Sequence, residues 1–314
     1  MKAVILEKAG DAKELKLINI PIPVIQDNEV LVKTKAISIN PVDIKTRTGK
    51  SLYNELKSKN EFIILGWDIS GVVTEAGKDV TKFKKGDEVF GMIKFGDHGK
   101  AYAEYVAAPE ADLALKPSNI SHEEAAAATL AALTAWQALV TNGKVSKEQK
   151  VVIQAASGGV GHYAVQIAKY LGAYVIGMSS AANKDFVLSL GADEHIDYKK
   201  HRIDTVVNDA DFVLDPIGDS NIDPSLNAVR KGGTVIMLPS FYKDLIVEKA
   251  KAKGVNGYYF SVRSNGDHMK QLASLLEKRI IKSHVSQTFP LEKMVDAHLQ
   301  IESGRTVGKI VVTV

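Results

Sequence analysis

Along the first 120 residues, apolar and polar positions alternate in short runs broken by turn-forming residues. KAVILEK (2–8), EVLVKTKAISIN (29–40), ISGVVTEAG (69–77), DEVFGMI (87–93) and AYAEYVAA (101–108) each predict a strand. Pro21, Pro23, Gly49, Gly77, Gly86, Gly96 and Gly99 stand where turns are needed. The pattern predicts a mostly β, barrel-like unit with irregular loops.

From Ser121 the texture changes. SHEEAAAATLAALTAWQALV (121–140) starts with a Ser followed by Glu two and three positions on, a capping signature, and predicts an Ala-rich helix. A β–α alternation follows: strand KVVIQAA (150–156), turn SGGVG (157–161), helix HYAVQIAKYLG (162–172), strand AYVIGM (173–178), helix NKDFVLSLG (183–191) and strand EHIDY (194–198). Strand DFVLD, helix SLNAVRKGG, and strands TVIMLP and VNGYYF continue it to residue 260. Near-continuous apolar strands separated by helix-length crossovers predict a parallel sheet covered on both faces, a doubly wound α/β unit. Helices at MKQLASLLEKRI and MVDAHLQIES and a last strand, KIVVTV, close the chain.

At 314 residues, 45% hydrophobic and 25% charged, the chain has material for about two domains. Forty Lys and Arg against 37 Asp and Glu leave a net charge of +3, too balanced for a nucleic-acid surface. Cysteine is absent, which removes disulfide scaffolds, thiol nucleophiles, iron–sulfur clusters and Cys-based zinc sites. No HExxH pair occurs, so no metal site is expected; one would need scattered positions such as His98, His195 and His201. The amino-terminal apolar run is interrupted by Glu7, and the uncharged stretch 125–143 holds Thr129, Thr134, Gln137, Thr141 and Asn142. A buried helix is expected there rather than a membrane span, and a cytoplasmic protein.

The turn at the end of the first α/β strand reads Ala156-Ser157-Gly158-Gly159-Val160-Gly161. Against the G-x-G-x-x-G pattern, Ala156 replaces the first glycine, while Gly158 lets backbone approach a pyrophosphate and Gly161 lets helix pack on strand. A tight turn without ligand is the alternative reading. On the second strand, where NAD-selective sites place a carboxylate, the chain has Ser179, Ser180, Asn183 and Lys184, with no acid before Asp185. Hydroxyls, an amide and an ammonium suit a 2′-phosphate, so NADP(H) is the expected cofactor, although Lys184 also reads as an ordinary surface lysine. Tyr198 could wall the adenine or serve as a half-buried core tyrosine.

Several motifs in order carry a resemblance: Ile39-Asn40-Pro41-Val42-Asp43, Leu65-Gly66-Trp67-Asp68-Ile69-Ser70-Gly71, Gly86-Asp87-Glu88-Val89-Phe90-Gly91, Ala101-Tyr102-Ala103-Glu104-Tyr105-Val106, Leu133-Thr134-Ala135 and Leu190-Gly191-Ala192-Asp193. With the SGGVG turn they make the chain resemble the medium-chain dehydrogenase/reductase superfamily, in its zinc-independent quinone oxidoreductase branch. The resemblance implies a GroES-like β-barrel catalytic domain over 1–120 and 259–314, a Rossmann NADP-binding domain over 121–258, and an active site where they meet. It implies that Thr134 lies near the nicotinamide, that the turn holds the pyrophosphate, that Ser180 and Lys184 hold the 2′-phosphate, and that Pro239, Ser240 and Val262 border the nicotinamide. Zinc-containing relatives have a Cys in the Asn40 loop and Gly-His-Glu where this chain has Gly66-Trp67-Asp68. Without that Lewis acid, reduction of an electron-poor acceptor, a small-molecule quinone or an α,β-unsaturated carbonyl, is expected rather than alcohol oxidation.

Asn40 could donate to a developing oxyanion and Tyr53 could protonate an enolate, with Asp43 orienting water or the loop; turn-capping by Asn40 and surface exposure of Tyr53 are the alternatives. The resemblance also implies a homodimer through the sheet edge at 255–260. A non-catalytic NADPH-binding redox sensor or partner-binding module remains the competing reading, and a zinc alcohol dehydrogenase the third.

Overall fold

The computed structural model describes residues 1–239 and 241–314 in full and the backbone alone of Ser240. Two compact units emerge: Met1–Leu133 with Arg263–Val314, and Thr134–Val262. The first boundary falls inside the helix Leu130–Trp136, not at residue 121 where the sequence changes texture. The reason is packing: on the helix His122–Ala127, Ala126 and Ala127 bury against Ala36 and Val311, which belong to strands of the first unit. The second boundary lies at Val262 rather than 258, since Phe260 N–H still donates to Met237 O at 2.9 Å, extending the edge pairing of the α/β sheet.

The first unit is built on the ten-residue strand Glu29–Ser38. It pairs antiparallel with Asp68–Ala76, with Tyr105–Pro109 and with the last strand, Lys309–Thr313. Glu88–Met92 and Leu113–Leu115 extend the sheet on one side and Val285–Pro290 on the other, where it runs parallel to the last strand. Val30, Val32, Ile69, Val73, Val89, Val106 and Leu113 form the apolar interior. Lys2–Leu6 makes a second sheet with Leu15–Asn19 and Ile63–Ile64. Val285–Pro290 was not legible as a strand because VSQTFP is mostly exposed and shows no apolar alternation.

The expected helix over 121–140 is broken into His122–Ala127, Leu130–Trp136 and a π-helical turn, Gln137–Asn142. Its start is as expected: Ser121 Oγ accepts from Glu124 N at 3.1 Å and Glu124 Oε2 from Ser121 N at 2.9 Å. It breaks because Thr129 Oγ1 donates to Ala126 O at 2.7 Å and the Leu130 N–H turns to Asp68 Oδ1 at 3.0 Å.

The second unit is a six-stranded, wholly parallel sheet. From one edge to the other it runs Glu194–Asp197, Tyr174–Ser179, Lys150–Ile153, Ala210–Asp215, Val229–Met237 and Asn256–Tyr259. That order reverses direction beside the central strand Lys150–Ile153, the doubly wound arrangement that binds ligands at the strands' carboxyl ends. Two details differ from the pattern reading. The helix Ile222–Ala228 ends before Val229, where strand begins, instead of continuing through Gly233. A helix, Lys243–Lys253, separates the last two strands; only Ile246 and Ala250 of its residues are buried, so KDLIVEKAKAK carries almost no apolar period. Among the described residues, no helix is long and apolar enough to cross a membrane.

Candidate active site

The turn after Lys150–Ile153 is shaped by steric exclusion. A Cβ on Gly161 would sit 2.1 Å from Ala155 O and 2.8 Å from Ala156 Cα, so only glycine lets the helix Gly161–Tyr170 start this close to the strand. Ala155 itself is held at φ +48°, a left-handed conformation unusual for a residue with a side chain. Gly158 N donates to Ala155 O at 2.9 Å, and Gly158, Gly159 and Val160 stay half-buried, leaving backbone open at the helix amino terminus. First-turn amides of a helix have no intrahelical acceptor and favour an anion. These residues fit a dinucleotide pyrophosphate.

One strand over lies the end of Tyr174–Ser179, the place at which dinucleotide-binding folds in general distinguish the two coenzymes. Ser179 is buried, Ser180 is half-buried and Lys184 is exposed at the start of the helix Lys184–Ser189. Asn183 Nδ2 donates to Ser157 Oγ at 3.0 Å, which ties this segment to the turn. Tyr198, 57% exposed, follows the neighbouring strand and its N–H donates to Ser179 O at 3.2 Å, so it is no core tyrosine. Ser157, Ser179, Ser180, Asn183, Lys184 and Tyr198 therefore gather around one strand end, with no carboxylate on the segment 179–184. Thr134 and Val262 are the first and last residues of the second unit, both buried, and Pro239 packs near Gly218. The Ser240 side chain lies outside the described residues.

Sequence reasoning missed two features here. His195 Nε2 lies 2.8 Å from Ser179 Oγ. At the ends of the central strands, Asp215 is buried: it accepts from Ile217 N and Gly218 N at 2.9 Å and from Ser225 Oγ at 2.9 Å, and burial pushes its carboxyl above the ordinary range. Gln154 joins this group through Ser225 and Asn221.

In the first unit, Asn40 precedes the helix Pro41–Arg47 as its cap, and its backbone N–H donates to Asp43 Oδ2 at 2.7 Å. Its side chain is committed: Nδ2 donates to Asp68 Oδ2 at 2.7 Å and Oδ1 accepts from Lys309 Nζ. The expected oxyanion donor is thus the hub of a buried cluster. Burial raises Asp43 to about 7, with the Asn40 amide opposing the rise and Asp68 adding to it. Burial likewise raises Asp68 and lowers Lys309, each opposed by the other's charge.

The same cluster reaches the helix Met294–Glu302. Arg47 NH1 lies 3.3 Å from His298 Nδ1 and His298 Nε2 lies 3.0 Å from Tyr102 Oη. A guanidinium only donates, so His298 Nδ1 accepts and Nε2 carries the hydrogen given to Tyr102. Burial, then the Arg47 charge, hold His298 neutral with a pKa near 3. Gly66, at φ +90°, is what admits Tyr102: a Cβ there would meet its ring at 2.4 Å. Tyr53 stands apart; its oxygen accepts from Ala9 N at 3.0 Å, leaving its own proton outside that bond.

A zinc ion does not fit these residues. The positions that bear ligands in zinc-containing relatives hold an engaged amide, an indole whose N–H donates to Asp97 O at 2.8 Å, and a carboxylate bound to Asn40 and Leu130. Among the described residues no group of three or more His, Cys, Asp or Glu is arranged to hold a metal.

Fold and turn together define a two-unit, dinucleotide-binding oxidoreductase. Residues 26–118 match the alcohol dehydrogenase GroES-like domain and residues 190–312 the zinc-binding dehydrogenase domain. The chain is 35% identical over 99% of its length to 2-methylene-furan-3-one reductase of Solanum lycopersicum, covering 79% of that protein. It is 34% identical, with the same coverage of 99% and 79%, to the NADPH-dependent alkenal/one oxidoreductase of Arabidopsis thaliana chloroplasts. The quinone oxidoreductase structure from Coxiella burnetii superposes with a TM-score of 0.95 at 34% identity, covering 100% of this chain and 99% of that one. The chain belongs to the medium-chain dehydrogenase/reductase superfamily, among its quinone oxidoreductases and enone reductases.

Proposed function

We propose that the protein is an NADPH-dependent oxidoreductase that reduces quinones or α,β-unsaturated carbonyls without a metal. The observation that carries this reading is the strand end at Ser179 and Ser180, which offers hydroxyls and Lys184 to a 2′-phosphate where an NAD site has an acid, in a chain whose metal positions hold Asn40 and Trp67. When bound, NADPH supplies a hydride to the electron-poor carbon of the acceptor, and conjugation spreads the developing charge onto oxygen.

The chain's part is to bind, orient and supply a proton. The turn 157–161 holds the pyrophosphate on helix N–H groups. Tyr53, whose oxygen already accepts from Ala9, keeps its proton to give to an enolate oxygen or carbon. Asn40 and Asp43 keep the first loop in one conformation and make no bond to Tyr53 among the described residues. The exposed edge strand Asn256–Tyr259, with Tyr258 and Tyr259 half-buried, supports a homodimer that pairs this edge with a second copy, a state that sedimentation measures directly.

Following NADPH absorbance with phenanthrenequinone, benzoquinones and short alkenals tests the activity. Acceptor-dependent oxidation of NADPH well above that of NADH is the expected result. Tight NADPH binding with no acceptor consumed would overturn it in favour of a coenzyme-binding sensor.

A further inference from the structure

His195 lies beside the strand end that gathers Ser179, Ser180 and Lys184. Parallel pairing sets His195 beside Gly177 and Asp197 beside Ser179, so the imidazole reaches the strand end where coenzyme choice is made. Its Nε2 is 2.8 Å from Ser179 Oγ, and the same oxygen lies 3.2 Å from Ser180 O. The Ser179 hydroxyl can give its proton to Ser180 O, and a ring that carries hydrogen on Nε2 then donates to Ser179 Oγ. That tautomer leaves Nδ1 as the basic nitrogen.

The charged groups facing the ring are Lys184 from the following helix and Asp197 from its own strand. Burial and then Lys184 act to keep the free ring uncharged, and Asp197 acts against them. An incoming phosphate beside Ser179 and Lys184 would tip that balance, because its negative charge both screens Lys184 and attracts a proton to the ring.

We propose that His195 is a specificity-determining residue that takes up a proton when a nicotinamide coenzyme bearing a 2′-phosphate binds, so that preference for NADPH over NADH grows as pH falls from about 8 towards the ordinary histidine range. This rests on the coenzyme reading above and adds a proton linkage to it. The transfer is one proton from solvent to the ring, with no covalent or redox step. A coenzyme with a free 2′-hydroxyl gains nothing from the charged ring, so the linkage discriminates between the two coenzymes and not only strengthens binding.

The test is titration calorimetry of the full chain with NADPH and with NADH near neutral pH, in two buffers of different ionisation enthalpy, for the wild type, His195→Gln and His195→Leu. The wild type is expected to take up a fraction of a proton with NADPH and none with NADH. Both variants should instead release a small fraction, because the phosphate, with a pKa of about 6, sheds its residual proton on binding. They should bind NADPH about tenfold more weakly than the wild type near pH 6.5, with a much smaller difference at pH 8.5 and NADH unchanged. Proton uptake that survives in both variants, or equal losses for NADPH and NADH, would overturn the role of His195. Equal affinity of the wild type for the two coenzymes would overturn the coenzyme reading itself, which the variants are not needed to show.

Discussion

Lys309 Nζ donates to Asn40 Oδ1 and, at 2.9 Å, to Ile39 O, joining residues 269 positions apart in a space closed to solvent. The cation on the last strand neutralises Asp68 and Asp43, and the carbonyls it binds belong to the loop that starts the helix Pro41–Arg47. Removing one partner of such a cluster strands the others, which is far more costly than never having had them.

Lys309→Met should therefore destabilise the protein by about 3 kcal/mol or more, read from urea unfolding. Adding Asp68→Asn in that background should restore part of the loss, since the unpaired charge is gone; an additive further loss would show that the two residues do not act as a pair.

Two buried groups make stability depend on pH with opposite signs. His298 is depressed from 6.5 to about 3, so its contribution is intact above 6.5 and is lost as pH falls towards 3. Asp43 is raised from 3.8 to about 7, so its contribution is intact below 3.8 and is lost as pH rises through 7. Asp43→Asn should accordingly cost least at high pH: its stability relative to the wild type should climb between about pH 4 and pH 8 in denaturant titrations. A constant difference across that window would mean that Asp43 titrates normally.

At the coenzyme turn, Gly161→Ala places a carbon 2.1 Å from Ala155 O, and backbone must move. A loss of about 2 kcal/mol or more is expected, together with loss of NADPH binding in fluorescence titration. Ala155→Gly, in contrast, relieves a φ of +48° and should leave stability within about 1 kcal/mol of the wild type.

Lys184→Ala should weaken NADPH by about 1.5 kcal/mol or more and leave NADH unchanged in equilibrium binding. The lysine is exposed, and its charge also keeps the His195 ring uncharged, so the loss is read at about pH 8.5, where that ring stays neutral with or without Lys184.

Tyr53→Phe should slow alkenal reduction more than quinone reduction, because a quinone product is stable as an anion and an enolate needs a proton on carbon. Identical rates for both substrates would reduce Tyr53 to an anchor for Ala9 N.

The strand, glycine turn and helix start proposed to hold the coenzyme were legible because their logic is local. A strand, a glycine turn and a helix start lie within about a dozen residues, and the absence of an acid after Gly177 is a statement about consecutive positions. His195 escaped because its partner Ser179 comes from a neighbouring strand, and only the parallel register brings the two together. The cluster around Asn40 escaped for the same reason on a larger scale: Arg47, Asp68, Tyr102, His298 and Lys309 come from five separate segments. The helix Lys243–Lys253 was hidden by composition, since its outward face leaves just Ile246 and Ala250 to mark a period.

By itself the sequence determined the fold class, the doubly wound second unit, the glycine turn after its first strand and the absence of cysteine, all properties of residue type and short-range spacing. Tertiary structure alone decided that Asn40 is a buried hub and not a free donor. It also decided that His298 is neutral, that Asp43 sits near 7, and that the first unit extends to Leu133. Hydrogen-bond commitment and burial are set by which distant segments share a space, and the energy of a charge depends on that space rather than on its neighbours along the chain.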